Sequence, residues 1–151
     1  MSTTQLGGAR VARILLVEDN PDDAEITQRA LDRAKIGNTV TVVRDGQAAL
    51  DLLYRNCMDR DDPAIDLVLL DLGLPPVDGR TVLREIWADK RLRHIPVIVL
   101  TGSQREDDLI ESYKGGAVAF LRKPVNVERF LTAIGDLSGY RLFIARLPGS
   151  D

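Results

Sequence analysis

The chain of 151 residues lacks the features of secreted, disulfide-bonded and membrane-spanning proteins. Its single cysteine, Cys57, allows no internal disulfide. No apolar run approaches the roughly twenty residues that cross a bilayer, and the N-terminus has no hydrophobic segment of the signal-peptide type. Lysine and arginine form no stripe of the kind that binds nucleic acid or a membrane surface, and the net charge is −3. These absences predict a cytoplasmic protein that binds neither nucleic acid nor a membrane.

Other absences exclude whole classes of active site. His94 is the only histidine, so a metal site built from several histidines is excluded, and we expect His94 to lie in a surface loop. Cys57 has no visible activating partner. The sequence contains neither a glycine-rich phosphate loop nor a Gly-x-Ser-x-Gly element. Candidate chemistry must therefore come from carboxylate, hydroxyl and lysine side chains.

The length predicts one domain, which we expect at residues 13–138. Residues 1–12 are small and polar and predict a flexible leader. Residues 139–151 form a tail apolar enough to pack back on the domain or to cover a partner. The predicted strands span residues 13–17, 39–43, 66–70, 96–100 and 118–121. The predicted helices span residues 21–34, 47–56, 80–88, 105–114 and 126–137.

This alternation predicts an α/β fold of the (βα)5 type, doubly wound, in which a parallel sheet is covered by helices on both faces. The near-continuous apolar strands favour that arrangement, because a strand buried on both faces has no polar side. The apolar stripe expected to be buried on the first helix comprises Ala24, Ile26, Ala30, Leu31 and Ala34. The corresponding stripe on the third helix comprises Val82, Leu83, Ile86 and Trp87.

Acidic, hydroxyl and basic residues stand at the ends of four predicted strands: Glu18 and Asp19 after the first, Asp71 after the third, Thr101 after the fourth and Lys123 after the fifth. In an open parallel sheet these ends meet at one edge, where ligands bind. Three carboxylates in one cleft repel each other, and a hard cation such as Mg²⁺ relieves that repulsion.

Phosphoryl transfer uses such a set of groups. A carboxylate can accept a phosphoryl group as an acyl phosphate, and Asp71 is the natural nucleophile because it ends the middle strand. Lys123 and the Thr101 hydroxyl would then stabilise the phosphoryl oxygens. Each residue alone has a simpler interpretation as a turn, a helix cap or a solvated charge. Their joint position at four strand ends favours a shared site.

These motifs resemble the response-regulator receiver domains of two-component signalling. The resemblance covers residues 13–137 and is carried by Ile14-Leu15-Leu16-Val17-Glu18-Asp19-Asn20, Leu69-Leu70-Asp71-Leu72-Gly73-Leu74-Pro75, Pro96-Val97-Ile98-Val99-Leu100-Thr101 and Lys123-Pro124. It implies a flavodoxin-like receiver fold with a five-stranded parallel sheet in the order 2-1-3-4-5. It also implies that Asp71 accepts phosphate from a histidine kinase and that Mg²⁺ is held by Glu18, Asp19, Asp71 and the Gly73 carbonyl. Thr101 and Phe120 would form the switch pair, and the bond before Pro124 would be cis.

A narrower resemblance is to the single-domain regulators paired with phytochrome histidine kinases. It rests on Glu18-Asp19-Asn20-Pro21-Asp22-Asp23, Leu92-Arg93-His94-Ile95-Pro96, Ser112-Tyr113 and the Leu-Pro ending of the tail. It implies a homodimer built on the face formed by predicted helix 105–114, the fifth strand, predicted helix 126–137 and the tail. Glu18 stands where many receivers have aspartate, and Gly73 replaces a side chain that often lies over the phosphoryl group.

The leading hypothesis is therefore a phosphoacceptor that signals by protein contact and is not a turnover enzyme, although it assists its own phosphorylation and dephosphorylation. An aspartate-nucleophile phosphohydrolase is disfavoured, because such enzymes usually need a second acid where Gly73 stands. A receiver-like scaffold that works without phosphorylation remains an alternative, which the presence of Asp71, Thr101 and Lys123 disfavours.

Overall fold

A computed structural model describes residues 12–33, 36–58, 64–74, 78–102, 116–135 and 145–146. The strands are β1 (Ala12–Val17), β2 (Ile36–Val43), β3 (Leu67–Asp71), β4 (Val97–Thr101), β5 (Ala119–Arg122) and β6 (Ala145–Arg146). The helices are α1 (Pro21–Arg33), α2 (Gly46–Met58), α3 (Gly79–Ala88) and α4 (Val127–Gly135). The predicted helix 105–114, the predicted leader except Ala12, and most of the tail lie outside the described residues. Within the described ranges, no helix is both long and apolar enough to cross a membrane.

Five strands run parallel in the order 2-1-3-4-5, which confirms the predicted fold. Beyond β2, the two residues of β6 add an antiparallel strand, with Ile36 opposite Arg146 and Gly37 opposite Ala145. The sheet of the described residues therefore has six strands, and part of the tail backbone pairs with the domain.

The core forms two layers because successive strand residues point to opposite faces. Leu15, Val68 and Val99 face a cluster completed by α2 and α3, which contribute residues such as Leu53 and Ile86. The alternate strand residues face a second cluster completed by α1 and α4, in which Leu31 and Phe130 are fully buried. Both faces of the central strands are thus covered, as a parallel sheet requires.

An Asn or Asp side chain caps the start of each described helix. Asn20 Oδ1 accepts hydrogen bonds from the backbone N–H groups of Asp22 (2.8 Å) and Asp23 (3.1 Å). Equivalent caps are formed at α2, α3 and α4 by Asp45, Asp78 and Asn126. These caps satisfy donors that have no partner within the helix. They fix where each helix begins relative to the strand end before it.

Gly79 lets α3 begin directly against the strand end that carries Asp71. Its N–H donates to the Leu72 carbonyl at 3.0 Å. A Cβ on Gly79 would lie 2.6 Å from the Leu72 Cα and would also collide with the Asp71 carbonyl oxygen. A glycine is therefore required at this close approach.

Two residues predicted to be buried on helix stripes are exposed. Trp87 is 50% exposed and Ile26 is 42% exposed. A helix turns about 100° per residue, so Ile26 lies off the stripe of Ala24, Ala30 and Leu31, and the buried residue near it is Thr27. Trp87 lies beyond the buried Ile86 and stands against Arg93, whose guanidinium carbon is 5.9 Å from the ring centroid.

Candidate functional site

The strand register brings the predicted site residues to one edge of the sheet. Val17 pairs with Leu70, so Glu18 and Asp71 follow adjacent positions on neighbouring strands. Asp71 pairs with Leu100, one residue before Thr101, and Thr101 pairs with Arg122, one residue before Lys123. The backbone joins the same edge, since the Lys123 N–H donates to the Thr101 carbonyl at 2.7 Å.

The three predicted acidic ligands lie together. One carboxylate oxygen from each of Glu18, Asp19 and Asp71 lies within 4.8 Å of the others. Glu18 and Asp71 are buried, with exposures of 1% and 6%, and Asp19 is exposed. The site is thus open to solvent on one side and closed on the sheet side.

Lys123 lies among carboxylates. Its Nζ is 2.8 Å from Glu18 Oε1, 3.1 Å from Asp23 Oδ2 and 3.2 Å from Asp71 Oδ2. Burial alone would lower the pKa of Lys123, but the contact with Glu18 and the charge of Asp71 outweigh burial and raise that pKa above its ordinary value. Lys123 therefore stays protonated and offers a fixed positive charge beside Asp71.

Asp23 belongs to this arrangement, although the sequence motifs named it only as part of Glu18-Asp19-Asn20-Pro21-Asp22-Asp23 and gave it no role at the site. The position of Asp23 in the sequence already placed it near the site, because the first turn of α1 follows β1 at the same edge of the sheet. What the sequence does not give is the angle at which α1 leaves that edge, and this angle decides whether Asp23 reaches Lys123.

Burial has a strong effect on Glu18. Desolvation is the largest influence and, with the nearby Asp71 carboxylate, raises the pKa of Glu18 from 4.5 to about 7, although Lys123 acts in the opposite direction. Glu18 Oε1 is buried and forms an ion pair with the Lys123 ammonium, whose Nζ is 2.8 Å away. Three carboxylates face this one ammonium, and a divalent cation would relieve the repulsion that remains between them.

The donor set fits a divalent cation. It offers carboxylate oxygens only, and hard cations such as Mg²⁺ prefer oxygen ligands. The Gly73 N–H donates to Asp71 Oδ1 at 3.1 Å, so the backbone of the residue whose carbonyl is the predicted ligand is tied to the acid.

The remaining predicted residues surround the acidic cluster. Thr101 is 3% exposed. Phe120 is half-buried and packs against the core layer that includes Val99. The Lys123–Pro124 peptide bond is cis.

His94 and Cys57 lie outside this site. His94 is exposed in the turns before β4, at the opposite end of that strand from Thr101. Cys57 is half-buried near the end of α2, where burial raises the pKa of its thiol and makes it a weaker nucleophile at neutral pH. The chemistry available at the edge is therefore that of carboxylates beside one lysine and one hydroxyl.

A model of the family described as response regulator receiver domain matches residues 14–135. The response regulator Rcp1 of Synechocystis sp. is 37% identical over 137 residues, which cover 91% of this chain and 93% of Rcp1. The probable methanogenesis regulatory protein FilR2 of Methanothrix harundinacea is 42% identical over 137 residues, or 90% of this chain and 87% of FilR2.

Solved structures show the same similarity. The bacteriophytochrome response regulator AtBRR is 46% identical in sequence, and its structure matches with a TM-score of 0.79. The match covers 92% of this chain and 99% of AtBRR. The crystal structure of the Mn²⁺-bound form of Rcp1 is 37% identical with a TM-score of 0.66 and covers 91% of this chain and 99% of Rcp1. Sequence and fold are thus similar over almost the whole length of these proteins.

Proposed function

This chain belongs to the response regulator receiver domain family, and from that premise we propose that Asp71 is its phosphoacceptor. Phosphorylation of an aspartate is typical of this family of signalling proteins. The observation that carries the proposal is the position of Asp71, a buried carboxylate ending the central strand, with Lys123 Nζ at 3.2 Å and Glu18 beside it.

The proposed step is attack by an Asp71 carboxylate oxygen on the phosphorus of a phosphohistidine. An oxygen–phosphorus bond forms, the phosphorus–nitrogen bond breaks, and the imidazole leaves with the bonding electron pair and takes up a proton. The Lys123 ammonium lies beside Asp71 and would orient the attacking carboxylate. The donor is proposed to be a histidine kinase, and the similarity to AtBRR favours a kinase of the phytochrome type.

Lys123 and Thr101 are proposed to hold the transferred group. The Lys123 ammonium would direct one of its N–H donors from Asp71 to a phosphoryl oxygen. The Thr101 hydroxyl would donate a hydrogen bond to another phosphoryl oxygen. Glu18, Asp19, Asp71 and the Gly73 carbonyl would hold Mg²⁺, which when bound neutralises phosphoryl charge. The same groups would support hydrolysis of the acyl phosphate, so the protein assists its own phosphorylation and dephosphorylation.

Signalling is proposed to proceed through the switch pair Thr101 and Phe120. Movement of the Thr101 hydroxyl toward a phosphoryl group would leave space for the half-buried Phe120 ring to turn inward. The surface around β5 and α4 would then change, and we propose that this surface, with the tail, forms a homodimer. The proposed location is the cytoplasm, where the single cysteine would stay reduced.

The test is intact-mass measurement of the full chain after incubation with acetyl phosphate, or with a phosphorylated histidine kinase, in the presence of Mg²⁺. We expect a gain of one phosphoryl group, its loss in Asp71→Asn, and its retention in Asp32→Asn, which removes an exposed acid at the far end of α1. A gain that survives Asp71→Asn would refute the assignment. Rapid release of phosphate from small phosphomonoesters would instead indicate a phosphohydrolase.

The proposed dimer is tested separately by the light-scattering mass of the full chain with and without beryllofluoride and Mg²⁺. A mass of two chains is expected in at least one condition. A single-chain mass in both conditions would refute the homodimer.

A further inference from the structure

Lys123 is held by one carboxylate that lies outside the acidic cluster. Glu18 and Asp71 both contribute oxygens to the cluster, and Asp23 does not. The Asp23 contact is a hydrogen bond as well as an ion pair, with Lys123 Nζ donating to Asp23 Oδ2 at 3.1 Å. The shorter contact, from Lys123 Nζ to Glu18 Oε1 at 2.8 Å, is to a member of the cluster.

The local structure explains why Asp23 reaches Lys123. The Asn20 cap fixes the first turn of α1, since it binds the N–H groups of Asp22 and Asp23. Ala24 and Thr27 are buried and hold this part of the helix against the sheet. Asp23 and Lys123 consequently line one narrow crevice, with Asp23 only partly exposed.

Neutralisation of the cluster changes the forces on Lys123. A cation held by Glu18, Asp19 and Asp71 would offset the two charges that attract the ammonium from within the cluster. A lysine side chain is long and flexible, and it gains rotamer entropy when it is released. Asp23 lies outside the cluster, so a cation bound there would leave the Asp23–Lys123 contact in place. An ammonium has three donors, so one can stay on Asp23 while another turns to a phosphoryl oxygen.

We propose that Asp23 is a positioning residue that keeps Lys123 at the phosphorylation site when a metal and a phosphoryl group occupy the acidic cluster. Asp23 does not touch the reacting atoms in this role, and it acts through Lys123. The proposal rests on the proposed function, because it assumes that Lys123 binds a phosphoryl oxygen.

The test compares Asp23→Asn with Asp22→Asn in the full chain. Asp22 is an exposed acid in the same helical turn, so its replacement removes the same charge without touching Lys123. The probes are Mg²⁺ alone and beryllofluoride with Mg²⁺, each measured by calorimetric titration. We expect the dissociation constant of beryllofluoride to be at least about threefold higher for Asp23→Asn than for Asp22→Asn. A change of this size is expected for the loss of a partly exposed ion pair. The affinity for Mg²⁺ alone should match that of the control, and Asp23→Glu should restore beryllofluoride binding.

A double-mutant cycle distinguishes positioning from a general structural effect. In a Lys123→Gln background, Asp23→Asn should have no further effect on beryllofluoride binding, because the ammonium that Asp23 positions is absent. Equal beryllofluoride affinities in the Asp23 and Asp22 variants would overturn the proposal. Tighter binding to Asp23→Asn would also overturn it, since Asp23 would then compete with the phosphoryl group. Failure of the wild-type chain to gain a phosphoryl group from acetyl phosphate would count against the proposed function itself.

Discussion

Replacement of Glu18 by glutamine tests how strongly burial acts on the acidic cluster. Glu18 is 1% exposed, and its pKa is raised from 4.5 to about 7, chiefly by desolvation. The folded chain therefore binds a proton at Glu18 more tightly than the unfolded chain does. Ionised Glu18 destabilises the folded state, and this destabilisation is lost as the pH falls through about 7 toward 4.5.

The expected magnitude follows from the two pKa values. The difference between 4.5 and about 7, at about 1.4 kcal/mol for each pKa unit, amounts to about 3–4 kcal/mol at high pH. Glutamine has nearly the same shape and cannot ionise. The stability of Glu18→Gln relative to wild type should therefore rise by about 2–3 kcal/mol between about pH 5 and about pH 8.

Urea denaturation followed by circular dichroism measures this difference, with metal removed by a chelator at both pH values. Glu128→Gln is the control, because it removes an exposed carboxylate in the first turn of α4. Added Mg²⁺ should stabilise the wild type more at about pH 8 than at about pH 5, since it binds the ionised carboxylates. Parallel pH profiles of wild type and Glu18→Gln would refute the reasoning.

Three further predictions concern positions around the site and in the core. Gly79→Ala should lower the free energy of unfolding by more than about 2 kcal/mol in denaturation experiments, because the added Cβ collides with backbone atoms. Gly102→Ala is the control and should change the free energy of unfolding by less than about 0.5 kcal/mol, since a Cβ there meets nothing within 4 Å. Ile86→Ala should cost about 2–5 kcal/mol of stability, and Trp87→Ala should cost less because half of that side chain is already exposed; the reverse order would contradict the burial described. Gly73→Asn should lengthen the half-life of the phosphorylated protein by shielding the acyl phosphate from water, and an unchanged decay rate, measured by intact mass over time, would remove that idea.

The alternation of strands and helices was predictable because each strand is buried on both faces. Such strands must be apolar throughout, and Leu67–Asp71 shows the pattern in its run of three leucines and a valine before the acid. The ends of the five predicted strands match within one residue, apart from β2, which begins three residues earlier than expected, at Ile36; β6 was not predicted. That difference arises because Gly37 and Asn38, which have low strand propensity, pair with other strands of the sheet.

The faces of the helices were less predictable than their positions. Apolarity alone suggested that Trp87 and Ile26 are buried, but the fit of each helix against the sheet leaves both exposed. Packing geometry selects which apolar residues enter the core, and a sequence pattern records only which residues could do so.

The fold and the set of residues at the strand ends follow from the order of amino acids, because parallel strands bring their carboxyl ends to one edge whatever the packing details. How those residues interact depends on the packing of the whole domain. The burial of Glu18 and the resulting rise of its pKa depend on the layers packed around β1. The contact of Asp23 with Lys123 joins residues that are a hundred positions apart, and it depends on the angle of α1. Desolvation and long-range contacts are properties of the packed molecule, which is why no local pattern shows them.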